Sequence, residues 1–159
     1  MSDTRNVTYW LNEYARYHVN PTNKKIHWVC VPVIMMTLLG LLWSLPVPKA
    51  LGGHSVVVNW SSILVLVSIV FYLRLSLSLA IGMGLITAGM LASFGPIEAI
   101  RSGLVWQLSL TVFVLAWIGQ FIGHKIEGKK PAFFQDLQFL LVGPMWILAD
   151  VYKQLRIPV

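Results

Sequence analysis

Residues Tyr14–Leu45 read YARYHVNPTNKKIHWVCVPVIMMTLLGLLWSL, and the two halves of this stretch obey opposite rules. The half through His27 holds two histidines nine positions apart, Asn20 and Asn23, and the cations Arg16, Lys24 and Lys25. From Trp28 to Leu45 no charge occurs, and the run approaches the ~20 apolar residues that a helix needs to cross a bilayer. The stretch therefore predicts a membrane helix with polar chemistry crowded at its mouth.

Working outward, three further apolar runs follow, at Val56–Leu73, Leu77–Phe94 and Leu104–Ile122. Arg74 and Ser76 separate the first two so briefly that a tight helical hairpin is expected. "GPIEAIRSG" predicts the next break, with Pro96 and Gly103 marking its ends. A final piece, Leu137–Ala149, is interrupted by Gly143-Pro144 and is too short for a span, so it suits an interfacial or re-entrant segment. Composition agrees: of 159 residues 57% are hydrophobic and 11% charged, where soluble domains carry about 25% charged residues. The expected fold is an all-α polytopic membrane bundle forming a single integral membrane domain over residues 1–159. It comprises about four transmembrane helices, an N-terminal amphipathic helix and the C-terminal segment. The polar N-terminus does not read as a signal peptide. With Cys30 as the single cysteine, no intramolecular disulfide is possible.

The net charge of +6 does not point to nucleic acid, because the cations flank apolar runs instead of forming a stripe with interleaved aromatics. Topology accounts for them. With four spans one side receives Arg5, Arg16, Lys24, Lys25, Arg74, Lys125, Lys129, Lys130, Lys153 and Arg156, and the other only Lys49 and Arg101. Ten against two places both termini in the cytoplasm. His18, His27 and His124 then share the cytoplasmic boundary, while His54 falls across the hydrocarbon, roughly 30 Å away.

Imidazole is the commonest side-chain ligand of Fe, Zn and Cu, so three histidines on one side read as a candidate metal site. Pro21 and Asn23 predict a turn that folds His18 back beside His27, with Asn23 or Thr22 capping the first membrane helix. Glu127, one turn past His124, and Asp150, closing the last apolar segment, are the carboxylates within reach. Other readings stand beside this one. A boundary histidine is often only interfacial, Glu127 pairs as readily with Lys130, and Asp150 with Lys153. The seven tryptophans mostly fall near span ends, as an aromatic belt does. There is no phosphate-binding glycine loop and no G-x-S-x-G elbow. The spans lack the intramembrane ionisable residues of a transport path.

The N-terminal pattern Y-x-x-x-H-x-N-x-x-N-x-x-x-H-x-x-x-x-P is carried by Tyr14, His18, Asn20, Asn23, His27 and Pro32. A second block, "WIGQFIGHKIEGKKPAFFQDLQFLLVGPMWILAD", holds Trp117, Gln120, Phe121, Gly123, His124, Glu127, Pro131 and Ala132. Together they cover roughly a third of the chain. They resemble a small membrane family typified by the fungal 2-hydroxy fatty acid dioxygenase of phytosphingosine breakdown, with this chain a bacterial-type member. The resemblance implies Fe2+-dependent α-oxidation, in which a 2-hydroxy fatty acid and O2 yield the fatty acid one carbon shorter. It implies catalytic His18, His27 and His124, the same three as metal ligands with Glu127 and Asp150 as further candidates, and substrate contacts from Asn20, Asn23, Lys24 and Gln120. Two departures bear on the ligand set: the segment between the GH and PA pairs is one residue shorter than in the fungal enzyme, and Asp150 stands where that enzyme has Glu. The partners implied are O2, the acid and the bilayer, with a homo-oligomer possible and no nucleic acid; the membrane is a bacterial inner membrane or the endoplasmic reticulum. Two other classes stay open, a non-catalytic lipid-binding membrane protein and a zinc-dependent lipid hydrolase on the same scaffold.

Overall fold

The computed structural model describes residues 6–51, 53, 55, 57–130 and 138–159, so His54, Pro131 and Ala132 lie outside the described residues. Six α-helices and one short 3₁₀ turn, with no strand, make up the described residues: α1 Val7–Ala15, α2 Pro21–Trp43, α3 Trp60–Leu73, α4 Leu77–Ile100, α5 Leu104–Glu127 and α6 Phe139–Gln154. The all-helical class and the N-terminal and C-terminal extra helices are as expected.

Helix starts follow the local chemistry. Asn6 accepts from the Tyr9 N–H at 2.9 Å, Asn59 from the Ser62 N–H at 3.0 Å and Ser76 from the Leu79 N–H at 3.4 Å. At α2 the cap is Asn20, whose Oδ1 accepts from the N–H groups of Thr22 and Asn23, and not Asn23 or Thr22 as expected. The reason is Pro21: without an N–H it fits the first helical position, which makes the residue before it the cap. The break expected at Pro96 also moves. Pro96 lies inside α4, and the chain turns at Gly103, which adopts φ 78°. A membrane helix tolerates proline where neighbours satisfy the freed backbone groups, whereas a left-handed residue ends it outright. Glu98 then accepts from the N–H groups of Gly103 and Val105, closing the start of α5.

Three helices, α2, α4 and α5, are long and apolar enough to cross a membrane. α3 has only 14 residues, about 21 Å, because its Asn59 cap starts it later than the apolar run does. Outward side chains on α3, α4 and α5 remain apolar: Leu66, Leu85 and Leu115 are 66%, 72% and 61% exposed. A surface of this kind is matched to lipid.

α2 is the hub. It runs beside α5 along its length and also touches α3, α4 and α6. Gly119 faces Cys30, Gly40 faces Ser109 and Gly123 faces Asn23, so small residues let the two backbones approach closely. At the histidine end, α1 and α6 pack over α3 and α4 through a core that includes Trp10, Tyr14, Tyr72, Met83, Phe139 and Met145. The Tyr72 hydroxyl donates to the Leu141 carbonyl at 2.9 Å, fastening α6 to α3.

Candidate metal centre

α1 ends at Ala15, and the Tyr17 and His18 N–H groups donate to Tyr14 and Ala15 carbonyls in a closing turn. The chain then reverses through Val19–Asn20 into α2. His18 is thereby laid against His27, one and a half turns into α2, with ring centres 4.2 Å apart. His124 enters from the last turn of α5, 5.3 Å from His18 and 4.8 Å from His27. All three are buried, at 1%, 1% and 7% exposure. One nitrogen from each lies within 4.8 Å of the others.

The protonation pattern follows from the backbone. His18 Nδ1 lies 2.8 Å from the Tyr14 carbonyl and His27 Nδ1 lies 3.0 Å from the Asn23 carbonyl. A carbonyl only accepts, so both rings carry their proton on Nδ1 and present a bare Nε2. Burial pushes His18 down to about 4, which keeps it neutral near pH 7. Its Nε2 is buried with no hydrogen-bond partner among the described residues. His27 Nε2 and His124 Nε2 stand 3.1 Å apart. Two imidazole nitrogens bound at right angles to one metal at ~2.1 Å would be about 3.0 Å apart. An orphaned buried nitrogen on His18, the facing Nε2 atoms of His27 and His124, and the ring protons of His18 and His27 held by carbonyls suit a histidine-bound metal, and the three residues fit such an ion.

Glu127 and Asp150, expected as further ligands, stand outside this group. Glu127 Oε1 accepts from the Val19 N–H at 2.8 Å, and Oε2 from the Asn20 N–H at 3.0 Å and the Asn23 side-chain amide at 2.9 Å. Its geometry spends the carboxylate on the turn between His18 and His27, which lacked any partner of its own. Asp150 is half-buried on α6 and does not line the cavity described below. Of Asn20 and Asn23, expected at the substrate, Asn20 caps α2 and Asn23 donates its side-chain amide to Glu127, and Lys24 is exposed at the start of α2. Lys129 adds a second tie from beyond α5, donating to the Arg16 carbonyl at 2.8 Å.

The histidines line one end of a cavity of about 530 Å³, bordered by α2–α6 and Tyr14 of α1 and walled mainly by apolar side chains. Gln120, one turn before His124, also lines it, and its Oε1 is buried with no partner among the described residues. Of the tryptophans, Trp117 faces the cavity, while Trp10 and Trp43 belong to the packed core. Tyr14 received no role from the sequence beyond its place in the pattern. Its ring stacks on His18 with centres 4.2 Å apart and planes 16° apart, and burial pushes its hydroxyl well above the ordinary tyrosine range. Trp146 of α6 packs beside both rings, 5.8 Å from His18 and 5.4 Å from Tyr14. The four-residue spacing of Tyr14 and His18, which stacks side chains along one helical face, was the available signal.

No solved structure matches the chain. Among curated proteins it is similar to the 2-hydroxy-palmitic acid dioxygenase MPO1 of Saccharomyces cerevisiae, with 28% identity over 142 residues, covering 88% of this chain and 76% of the yeast protein. The matched span takes in the whole helical body and every histidine of the cluster, for the family model described as "2-hydroxy-palmitic acid dioxygenase Mpo1-like" matches residues 4–155, and the chain belongs to this Mpo1-like family.

Proposed function

We propose that this chain is a membrane-bound, Fe2+-dependent dioxygenase that converts a 2-hydroxy fatty acid and O2 into the fatty acid one carbon shorter. The observation that carries the reading is the meeting of three buried imidazoles at one end of a long apolar cavity, in a chain similar to a dioxygenase of 2-hydroxy-palmitic acid. The reaction balances without an added reductant: the acid and O2 give the shorter acid, CO2 and water, the C1–C2 bond breaking as both oxygen atoms are reduced.

Iron held by His18, His27 and His124 would supply the redox chemistry and Lewis acidity that bring O2 and the acid together. The protein's own groups do the rest. The Tyr14 and Asn23 carbonyls hold His18 and His27 in the one tautomer that presents a lone pair. Gln120 offers its unpartnered Oε1 to the 2-hydroxyl, a hydrogen bond that a non-hydroxylated acid cannot return. The apolar wall excludes water and receives the acyl chain. Lys24 and Lys25, exposed at the membrane boundary, draw the anionic headgroup in, at about 1 kcal/mol each near such a surface. The proposed topology keeps both termini and this end of the bundle in the cytoplasm, with α3 completing a fourth crossing.

The test is metal analysis and oxygen uptake on detergent-purified protein supplied with 2-hydroxypalmitate. Stoichiometric iron with uptake and pentadecanoate formation is expected. Protein that holds only zinc, or iron-loaded protein that consumes no oxygen with any 2-hydroxy acid, overturns the reading.

A further inference from the structure

The cavity's shape carries information beyond the reaction. Its α2 wall runs from His27 through Val31 and Met35 to Leu39, ~18 Å at 1.5 Å per residue. Its α5 wall runs the other way in sequence, from His124 through Gln120 and Trp117 to Phe113, ~16 Å by the same measure. Two antiparallel walls of matching length make an elongated tube that leads from the histidines toward the middle of the bundle.

At the far end α2 and α5 close on each other. Just beyond Leu39 and Phe113, Gly40 lies against Ser109 and the α2 and α5 backbones come together. At the same depth the Ser61 hydroxyl of α3 donates to the Leu39 carbonyl. Leu39 and Leu64, the deepest lining residues of α2 and α3, belong to a second packed core with Trp43, Phe94 and Val105. Below Gln120 the wall hydroxyls are already engaged. The hydroxyls of Ser68 and Thr87 are each spent at 2.8 Å on carbonyls of their own helices.

We propose that this tube measures acyl-chain length, with Leu39 and Leu64 as its floor, and that it accepts one extended saturated chain of roughly 14–16 carbons. The figure follows from the geometry: a staggered chain of 1.52 Å bonds advances ~1.25 Å per carbon, so ~18 Å holds about 14 carbons below the headgroup. Selection works by exclusion. A chain arriving from lipid gains little from an apolar wall, but one too long meets packed leucines. The inference rests on the proposed function for its substrate and is tested so that the two fail separately.

The experiment measures kcat/KM for saturated 2-hydroxy acids from 8 to 20 carbons, together with displacement of the fluorescent probe cis-parinaric acid by the same acids, a readout that needs no turnover. Wild type is expected to fall at least about tenfold past 16 carbons, the scale at which a pocket rejects an extra methylene. Leu64→Ala moves that edge outward by roughly two to three carbons, since the truncation removes about that much buried chain. Ser68→Phe, midway along the wall, lowers the ratio of 16-carbon to 10-carbon activity at least about tenfold. If no acid is turned over but displacement shows the same edge and the same shifts, the dioxygenase reading falls and the gauge stands. If the edge is absent from displacement, or if both variants affect all lengths alike, the gauge is wrong.

Discussion

Replacing Glu127 with glutamine separates two roles that its position near His124 makes plausible. The carboxylate accepts from the Val19 N–H at 2.8 Å, the Asn20 N–H at 3.0 Å and the Asn23 side-chain amide at 2.9 Å. Glutamine keeps one oxygen and puts an NH2 where the other was, so at least one donor then faces a donor. Hydrogen bonds to a charged group contribute about 1.5–3 kcal/mol each, and the half-buried position puts the loss of one at the lower part of that range. For a chain of 159 residues this lowers the unfolding midpoint by roughly 3–10 °C. The His27 ring proton is held by the backbone carbonyl of the same Asn23 that Glu127 steadies, so catalytic turnover falls as well. Iron content stays stoichiometric, because no lone pair facing the metal has been removed. The assay is thermal unfolding in detergent followed by intrinsic fluorescence, with iron measured by plasma spectrometry on the same sample. A variant that loses its iron while keeping its midpoint would refute the clamp and make Glu127 a ligand.

The three histidines behave differently from Glu127. His18→Ala, His27→Ala and His124→Ala each lower iron affinity and oxygen uptake by at least about a hundredfold, read by metal titration, whereas His54→Ala keeps both. Gly123→Ala places a methyl group against Asn23 Oδ1, whose side chain is held by Glu127, and 3.3 Å from Ile26 Cγ2. Overpacking of this kind costs about 1–3 kcal/mol, and the unfolding midpoint should fall by several degrees. Acid acts through His18, which burial holds at about 4 against the ordinary histidine value of 6.5. Below 6.5 the unfolded chain takes up a proton that the folded chain refuses, so stability is full above that pH and is lost as pH falls toward about 4. Unfolding midpoints of metal-free protein between pH 7.5 and 4 should decline through that window, and a flat profile would show that His18 is not held neutral by burial.

Much of the fold is legible because lipid imposes one rule on every helix, an uninterrupted apolar run. The runs at Leu77 and Leu104 begin where α4 and α5 begin. What hydropathy misplaces are ends that depend on a single residue's hydrogen bonding. Pro96 was read as a terminator, yet the loss of one N–H inside a packed helix is tolerated and the left-handed Gly103 makes the turn. Asn59 shortens α3 for a similar reason: a cap that satisfies Ser62 outweighs the apolar residues in front of it. Tube depth was illegible altogether. It depends on Gly40 meeting Ser109, a contact between helices far apart in the chain that no local pattern records.

The site shows where charge counting succeeds and where it stops. Cation parity needs only the order of spans, and it put His18, His27 and His124 at one boundary before any contact was known. Choosing which carboxylate serves them needs the tertiary contact itself. Glu127 reaches Val19 across more than a hundred positions, and nothing near Val19 advertises two backbone N–H groups in want of an acceptor. That assignment changes the electrostatics of the proposed centre. A divalent ion held by three neutral imidazoles keeps its full charge in a buried, low-dielectric place, where an uncompensated charge is costly. A ligating Glu127 would offset more of it; held on the turn, it acts on the histidines only from a distance and leaves room for an anion entering the cavity. A carboxylate with a neighbouring hydroxyl and an apolar tail meets the requirement, supplying the missing negative charge at the histidine end and a chain that suits the tube beyond. On this argument the absence of a carboxylate from the cluster, among the described residues, is consistent with the anionic substrate proposed above, since such a centre favours an anion over a neutral lipid.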